Sequence, residues 1–390
     1  MRVSPPRPAL RSAWSLLLLL VALVLPAARA QGFLPPAPPI AAKSWVLLDA
    51  RSGQVLTSHK PNEHLPQASL TKLMVAYITF TALQAHSITL HTRFTISTAA
   101  WRTGGSRMFL NPGTKVTVLN LLKGVIVDSG NDATVALAQK IGGTRAGFVT
   151  LMNDYAQRLG LHSTHYEDVD GLPVPDHYTT ARDLAKLAVD LIRDFPQYRF
   201  IFKIKKFTWD HITQRNRVSL LWTDPYVKGM KTGYTKAAGY CMLIYADRKG
   251  MGLISVVLKT PSWDARVNDS QALITYGYNF FKNEKVATAG TIVSKPRVYE
   301  SAAGYAPVGP AHSVVLTVTR GHHALKTRIV WNHWPLTAPL AAGADVGTLL
   351  VTNSAGQRVD SVPLVTLAPV PEGGLFTRLS DEVKLWLHHV

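Results

Sequence analysis

Residues 239–259 read GYCMLIYADRKGMGLISVVLK, two apolar runs joined by a DRKG turn. Such a pair is a hairpin of buried strands. Upstream, KSWVLLDARSGQVLTSHK (43–60) gives two more strands around the turn DARSGQ. Between the two pairs the apolar spacing becomes helical. It runs from Ser69 to about Leu83 through Leu70, Leu73, Met74, Tyr77 and Ile78. Residues 113–143 hold two helices separated by DSGND. Further helices occupy 145–161, ending at Gly160, and 180–195, stopping before Pro196. A helix over 265–281 closes the unit. Strands, a helical middle, strands and a last helix predict an α+β fold: an antiparallel sheet flanked by helices, with an inserted helical subdomain.

After about Asn283 the texture changes. Short alternating runs such as SVVLTVTR, ALKTRIVW and SVPLVTL, punctuated by Gly and Pro, predict a small all-β sandwich up to about Leu367. Behind Gly373-Gly374, Leu375, Leu379, Val383, Trp386, Leu387 and Val390 fall on one face of a terminal helix. That helix either docks on the sandwich or lies in a membrane surface as a weak anchor.

The N-terminus carries Arg2, Arg7 and Arg11 before the apolar run 14–25 and the small-residue site Ala28-Arg29-Ala30. This is the pattern of a removed export signal, with mature protein from about Gln31. The expected destination is the periplasm or outer face of the cytoplasmic membrane. The whole chain bears 42 Lys+Arg against 24 Asp+Glu, a formal +18; losing the four leader arginines leaves 18 − 4 = +14. A basic chain favours anionic envelope surfaces. Its cations are scattered and no nucleic-acid motif accompanies them, so nucleic acid is not an expected partner. Cys241 is the only cysteine and lies in an apolar run, so it reads as a buried structural thiol. The pairs His322-His323 and His388-His389 are adjacent and would not share a face, so neither is an expected metal site.

QASLTKLM (67–74) places Ser69 three residues ahead of Lys72. Alone this is weak, since Ser69 could simply cap a helix. However, Ser69-x-x-Lys72 is followed in order by Ser129-Gly-Asn131 and Lys231-Thr-Gly233. An ordered trio of this kind marks penicillin-binding proteins and class A β-lactamases. A serine hydroxyl needs a base, and positions i and i+3 share a helix face. Burial, the positive helix end and a nearby cation, for which Lys231 is the candidate, would lower the Lys72 pKa enough for that task.

The chain resembles the serine-type D-alanyl-D-alanine carboxypeptidases, the low-molecular-mass penicillin-binding proteins. Beyond the trio, the resemblance rests on GGSRMFL (104–110), FVTLMNDYAQRLGL (148–161), DGLPVPDHYTTARDLAKLA (170–188) and ARVNDSQALITYGY (265–278). It implies a β-lactamase/transpeptidase-like catalytic domain over 31–285, a β-sandwich over 286–370 and an amphipathic helix over 371–390, behind the leader 1–30. It implies Ser69 as nucleophile, Lys72 as base, Ser129 as proton relay and Asn131 as holder of the substrate amide. Lys231, Thr232 and Gly233 would bind the substrate, and the N–H groups of Ser69 and Tyr234 would hold the oxyanion. Arg266 would be either an electrostatic guide or a surface arginine, the latter preferred. The implied partners are peptidoglycan stem peptides and β-lactam antibiotics, with no cofactor and no metal. A D,D-endopeptidase, a β-lactamase and an inactive wall-binding protein are the alternatives. The lactamase pattern Glu-x-x-x-Asn is broken here, because Gly171 follows Glu167 at the asparagine position. Two departures from the carboxypeptidase pattern, Lys228 and Val218, are expected to bear on substrate preference.

Overall fold

The computed structural model describes residues 34–321 and 324–388. The expected leader, His322-His323, His389 and Val390 lie outside the described residues. The chain divides between Pro35 and Pro36, and every described helix and strand belongs to the second part.

The elements that position the site are β1 (Ser44–Asp49), β2 (Val55–His59), α1 (Lys72–Gln84), α2 (Asn131–Ile141), α3 (Arg145–Arg158), α4 (Ala181–Asp194), β3 (Val227–Thr235), β4 (Gly239–Arg248), β5 (Met251–Thr260) and α5 (Trp263–Phe280). The strands form one antiparallel sheet in the order β2-β1-β5-β4-β3, so β3 is an edge strand. The period-2 pleat divides each strand between two cores. Val46, Leu48, Leu243, Ile254 and Val256 face the helical subdomain. Trp45, Leu47, Met242, Ile244 and Leu253 face the other way, against Leu273 and Ile274 of α5. A sheet buried on both faces explains why β4 and β5 read as nearly continuous apolar runs. Cys241 is buried among them.

Helix α1 is buried on all sides from Lys72 to Phe80, as a core helix of a large domain must be. Thr180 caps α4 by accepting from Asp183 N–H, and Ser262 caps α5 by accepting from Ala265 N–H. Residues 206–215 form a hairpin, Lys206–Trp209 with Ile212–Arg215, that no periodicity announced. Its two-residue turn, Asp210-His211, has both φ angles positive, as a tight hairpin turn requires.

Helix α5 runs directly into β6 (Phe281–Ala287), which straddles the expected domain boundary and pairs with β8 (Val314–Thr319). A second sheet contains β7 (Val308–Pro310), β9 (Lys326–Trp331), β10 (Asp345–Thr352) and β11 (Arg358–Thr366) in the order β7-β11-β10-β9. Val308, Val314, Leu316, Leu349, Val351 and Val362 fill the core between the two sheets. The terminal helix α6 (Leu375–His388) is held by its polar side. Buried Asp381 accepts from Arg297 (3.2 Å), Glu300 N–H (2.9 Å) and Lys384 (2.8 Å). Phe376 is 89% exposed and Trp386 68% exposed, so the apolar face is left open. Among the described residues no helix is long and apolar enough to cross a membrane.

Candidate active site

Ser69 lies in a 3-10 turn, Ala68–Thr71, that feeds α1. Its hydroxyl is 3.0 Å from Lys72 Nζ, which also donates to the Asp170 carbonyl at 2.6 Å. Lys72 is fully buried. Burial pushes its pKa down from 10.5 to about 8, against the upward pull of Asp170 and Asp168; Arg217 also depresses it. On the other side of the cleft Lys231 Nζ donates to Ser129 Oγ and to the Thr232 carbonyl, both at 2.9 Å. The Lys231 pKa is also pushed well down, by burial first and then by Lys72, Arg217 and Arg266. Lys231 was expected to be the cation acting on Lys72. The Lys72 amine does depress Lys231, and Arg217, itself lowered by burial, depresses both lysines.

The turn itself is strained and clamped. Ala68 has φ +47°, a left-handed conformation that costs an alanine about 1–2 kcal/mol. Thr71 Oγ1 donates to the Ala68 carbonyl (2.8 Å) and contacts His177 Nε2 (2.8 Å). His177 Nδ1 accepts from the N–H groups of Glu167 and Asp168. Its proton therefore sits on Nε2 and is donated to Thr71. Burial lowers its pKa to about 4, which keeps it neutral. Gly171, at φ +85°, packs beneath the same carbonyl, and a Cβ there would overlap the Ala68 oxygen. The segment 167–171 thus holds both the nucleophile turn and Lys72. Arg145 pairs with Asp168 and, at 3.5 Å, with Asp170, fastening this segment to α3.

In the DSGND segment expected between two helices, Ser129 ends a π-helical turn, Gly124–Asp128, with φ +59°, and Asn131 is the first residue of α2. Asn131 Nδ2 donates to the Gly104 carbonyl (2.7 Å). Asp132 accepts from Met108 and Leu110 N–H. Together they pin segment 104–110 to α2. Gly233 was expected to admit substrate. It lines the cleft, and its missing Cβ also lets β3 close on the nucleophile turn, because a Cβ would lie 3.0 Å from the Gln67 carbonyl and 3.2 Å from Ser69 N. Arg266 is not a surface residue. It is buried, donates from Nη1 to the Gly233 (3.1 Å) and Cys241 (3.4 Å) carbonyls, and lies 3.9 Å from the Trp263 ring centroid. A helical arginine can be drawn inward by two carbonyls and an aromatic face, which spacing alone does not reveal.

The cleft so formed holds about 220 Å³ and is lined by Ser69, Ser106, Ser129, Arg217, Thr232, Gly233, Tyr234, Tyr240, Trp263 and Arg266. Tyr234 is 56% exposed and lies against Tyr240, with ring centroids 4.4 Å apart. Lys228 and Val218 do not line it. Lys228 Nζ donates to the Pro225 carbonyl, and Val218 is buried in the second core, next to cleft-lining Arg217. Glu167 is also outside it, half-exposed beside His165 at 3.6 Å.

A two-lobed α+β domain with two serine–lysine contacts converging on one cleft defines a serine acyl-transfer enzyme of the penicillin-binding class. Residues 31–262 match the family model described as D-alanyl-D-alanine carboxypeptidase, and residues 281–372 match that described as penicillin-binding protein 5, C-terminal domain. The chain belongs to the D-alanyl-D-alanine carboxypeptidase family. It is similar to D-alanyl-D-alanine carboxypeptidase DacC of Escherichia coli strain K12, with 39% identity over 360 residues and 90% of each chain covered. It is also similar to DacA of Haemophilus influenzae, with 38% identity over 354 residues, 89% of this chain and 90% of that one. Among solved structures, penicillin binding protein 5 from Haemophilus influenzae aligns with a TM-score of 0.80 at 37% identity, covering 87% of this chain and all of the other. Penicillin binding protein 6B from Escherichia coli aligns at 0.72 and 32% identity, covering 87% and 99%.

Proposed function

We propose that the protein is a serine-type D-Ala-D-Ala carboxypeptidase that removes the terminal D-alanine from peptidoglycan stem pentapeptides. The observation that carries this is the 3.0 Å contact between the Ser69 hydroxyl and a buried, pKa-lowered lysine amine. Neutral Lys72 keeps one N–H on the Asp170 carbonyl and turns its lone pair to Ser69. It takes the hydroxyl proton as Oγ attacks the carbonyl between the two D-alanines. The N–H groups of Ser69 and Tyr234 hold the oxyanion. The C–N bond then breaks, the proton passes through Lys72 and Ser129 to the departing amine, and D-alanine leaves. Water repeats the sequence on the acyl ester and frees Ser69. Substrate lies along the open edge of β3, its terminal carboxylate near Thr232 and the cations Arg217 and Arg266. Asn131, bonded to Gly104, braces the cleft wall and faces the substrate amide. A β-lactam acylates the same oxygen and leaves slowly. The lactamase reading is disfavoured by Glu167, which lies outside the cleft, and by Gly171. Incubation with a pentapeptide ending in D-Ala-D-Ala tests the reading: released D-alanine supports it, and penicillin turnover without D-alanine release rejects it.

The Lys72 shift fixes a pH dependence. At pH 7 roughly a tenth of the amines are neutral, given a pKa near 8. The acylation rate constant should therefore rise about tenfold from pH 7 and level off above pH 8. A rate that is flat from pH 6 to 9 would remove Lys72 as the base.

The protein acts outside the cytoplasmic membrane, where its leader directs it, and touches the membrane peripherally through α6. The support is the polar tether at Asp381 beside a bare apolar face. Phe376→Glu with Trp386→Glu should abolish co-sedimentation with phosphatidylglycerol vesicles and leave D-alanine release unchanged. Retained vesicle binding would refute the anchor.

A further inference from the structure

Beside the cleft, three cations crowd one indole ring. Lys205 Nζ lies 5.4 Å, Lys206 Nζ 5.9 Å and the Arg215 guanidinium carbon 4.1 Å from the centroid of the Trp222 ring. Lys206 and Arg215 are moreover directly opposed across the 206–215 hairpin. Like charges in that position repel, and stacking on Trp222 offsets only part of the cost. Among the described residues none of the three makes an ion pair, although all three are exposed. The hairpin's only carboxylate, Asp210, sits at the far tip.

The cluster is joined to the cleft rim. Asn216 N–H donates to the Lys205 carbonyl (2.8 Å), and the next residue, Arg217, lines the cleft. Gln214 Nε2 donates to the Arg107 carbonyl (2.8 Å), beside cleft-lining Ser106. The cationic hairpin is thus anchored at two points directly beside residues that line the cleft.

We propose that Lys205, Lys206 and Arg215 form a docking strip for the anionic peptidoglycan polymer, holding the free carboxylates of neighbouring stem peptides while one enters the cleft. This rests on the proposed function for the identity of the substrate. A polymer in which every uncut stem ends in a carboxylate presents repeated negative charge at the cleft, and repeated charge is what an unpaired row of cations binds. Continuity with the cleft favours this occupant over a lipid surface.

The test combines co-sedimentation with insoluble, pentapeptide-rich peptidoglycan and D-alanine release from the same material and from a soluble pentapeptide. Binding by the unmodified protein should fall steeply as salt is raised. The variant Lys205→Gln/Lys206→Gln/Arg215→Gln should bind the polymer on the order of tenfold more weakly at low salt, with a flatter salt dependence. Its release of D-alanine from the soluble pentapeptide and its acylation by penicillin should stay within about twofold, which also shows that it folds. Lys205→Arg/Lys206→Arg should bind as the unmodified protein does. Polymer binding that ignores salt in the unmodified protein, or is unchanged in the glutamine variant, overturns the proposal. So does a variant that loses only its binding to phosphatidylglycerol vesicles, which assigns the strip to lipid. Co-sedimentation needs no turnover, so a protein that binds by these cations yet releases no D-alanine would sink the carboxypeptidase reading alone.

Discussion

Lys72→Ala is expected to cut the rate of acylation by penicillin and by pentapeptide about 10³–10⁴-fold, the range that a well-placed general base supplies. The loss should appear in the rate constant rather than in substrate affinity, because Lys72 does not line the cleft and its amine bonds to Ser69 and the Asp170 carbonyl. The same substitution removes a buried amine whose charge burial penalises. The sign for stability follows. The folded pKa, about 8, lies below the unfolded value of 10.5, so the unfolded chain binds more protons between these two pH values. The lysine's contribution to stability is therefore least favourable below pH 8 and improves as pH rises toward 10.5. The alanine variant should lose that part of the pH dependence. Stopped-flow acylation checks the first expectation and thermal unfolding across pH the second. A variant that acylates within tenfold of the unmodified protein would require another base.

Gly171→Asn, which restores the residue a class A β-lactamase carries there, should be equally damaging and should create no lactamase. Two effects add. The position has φ +85°, where a non-glycine residue is strained, and the new Cβ would overlap the Ala68 carbonyl oxygen. Relief requires segment 167–171 or the nucleophile turn to move, and either motion separates Lys72 from Asp170 or Ser69 from Lys72. Strain and overpacking of this kind cost about 1–3 kcal/mol each. Acylation should fall on the order of 100-fold or more, because misplacement of reacting groups by about 1 Å carries that penalty. The melting temperature should fall with it. Undiminished acylation, or a gain in penicillin hydrolysis, would contradict this account of the segment.

The fold was legible where one local signal was strong. Apolar runs and turn residues announced the two hairpins of the main sheet, and the three-residue step from Ser69 to Lys72 announced a shared helix face. Thr180 and Pro196 bracketed α4. What escaped was decided by contacts distant in sequence. Nothing near Arg266 says that two carbonyls from β3 and β4 and the ring of Trp263 will draw it inside. Arg217 is one basic residue among several in its segment, and only the folded chain places it beside Lys231. His177 stood in a quoted stretch, yet its hold on Ala68 through Thr71 spans about a hundred residues. Ser129 lines the cleft, and Asn131 is bonded to the Gly104 carbonyl. The π-helical turn and the left-handed Ser129 that aim them could not be read from five letters of a loop. Gly233 shows a second demand that the motif does not announce: besides lining the cleft, it makes room for the nucleophile turn.

The most direct test of the central claim is peptide mapping by tandem mass spectrometry after a brief reaction with labelled penicillin, quenched before release. A single penicilloyl group on the peptide containing Ser69, absent from Ser69→Ala and formed at a rate that rises through pH 8, is the predicted result. A label on any other residue would contradict it.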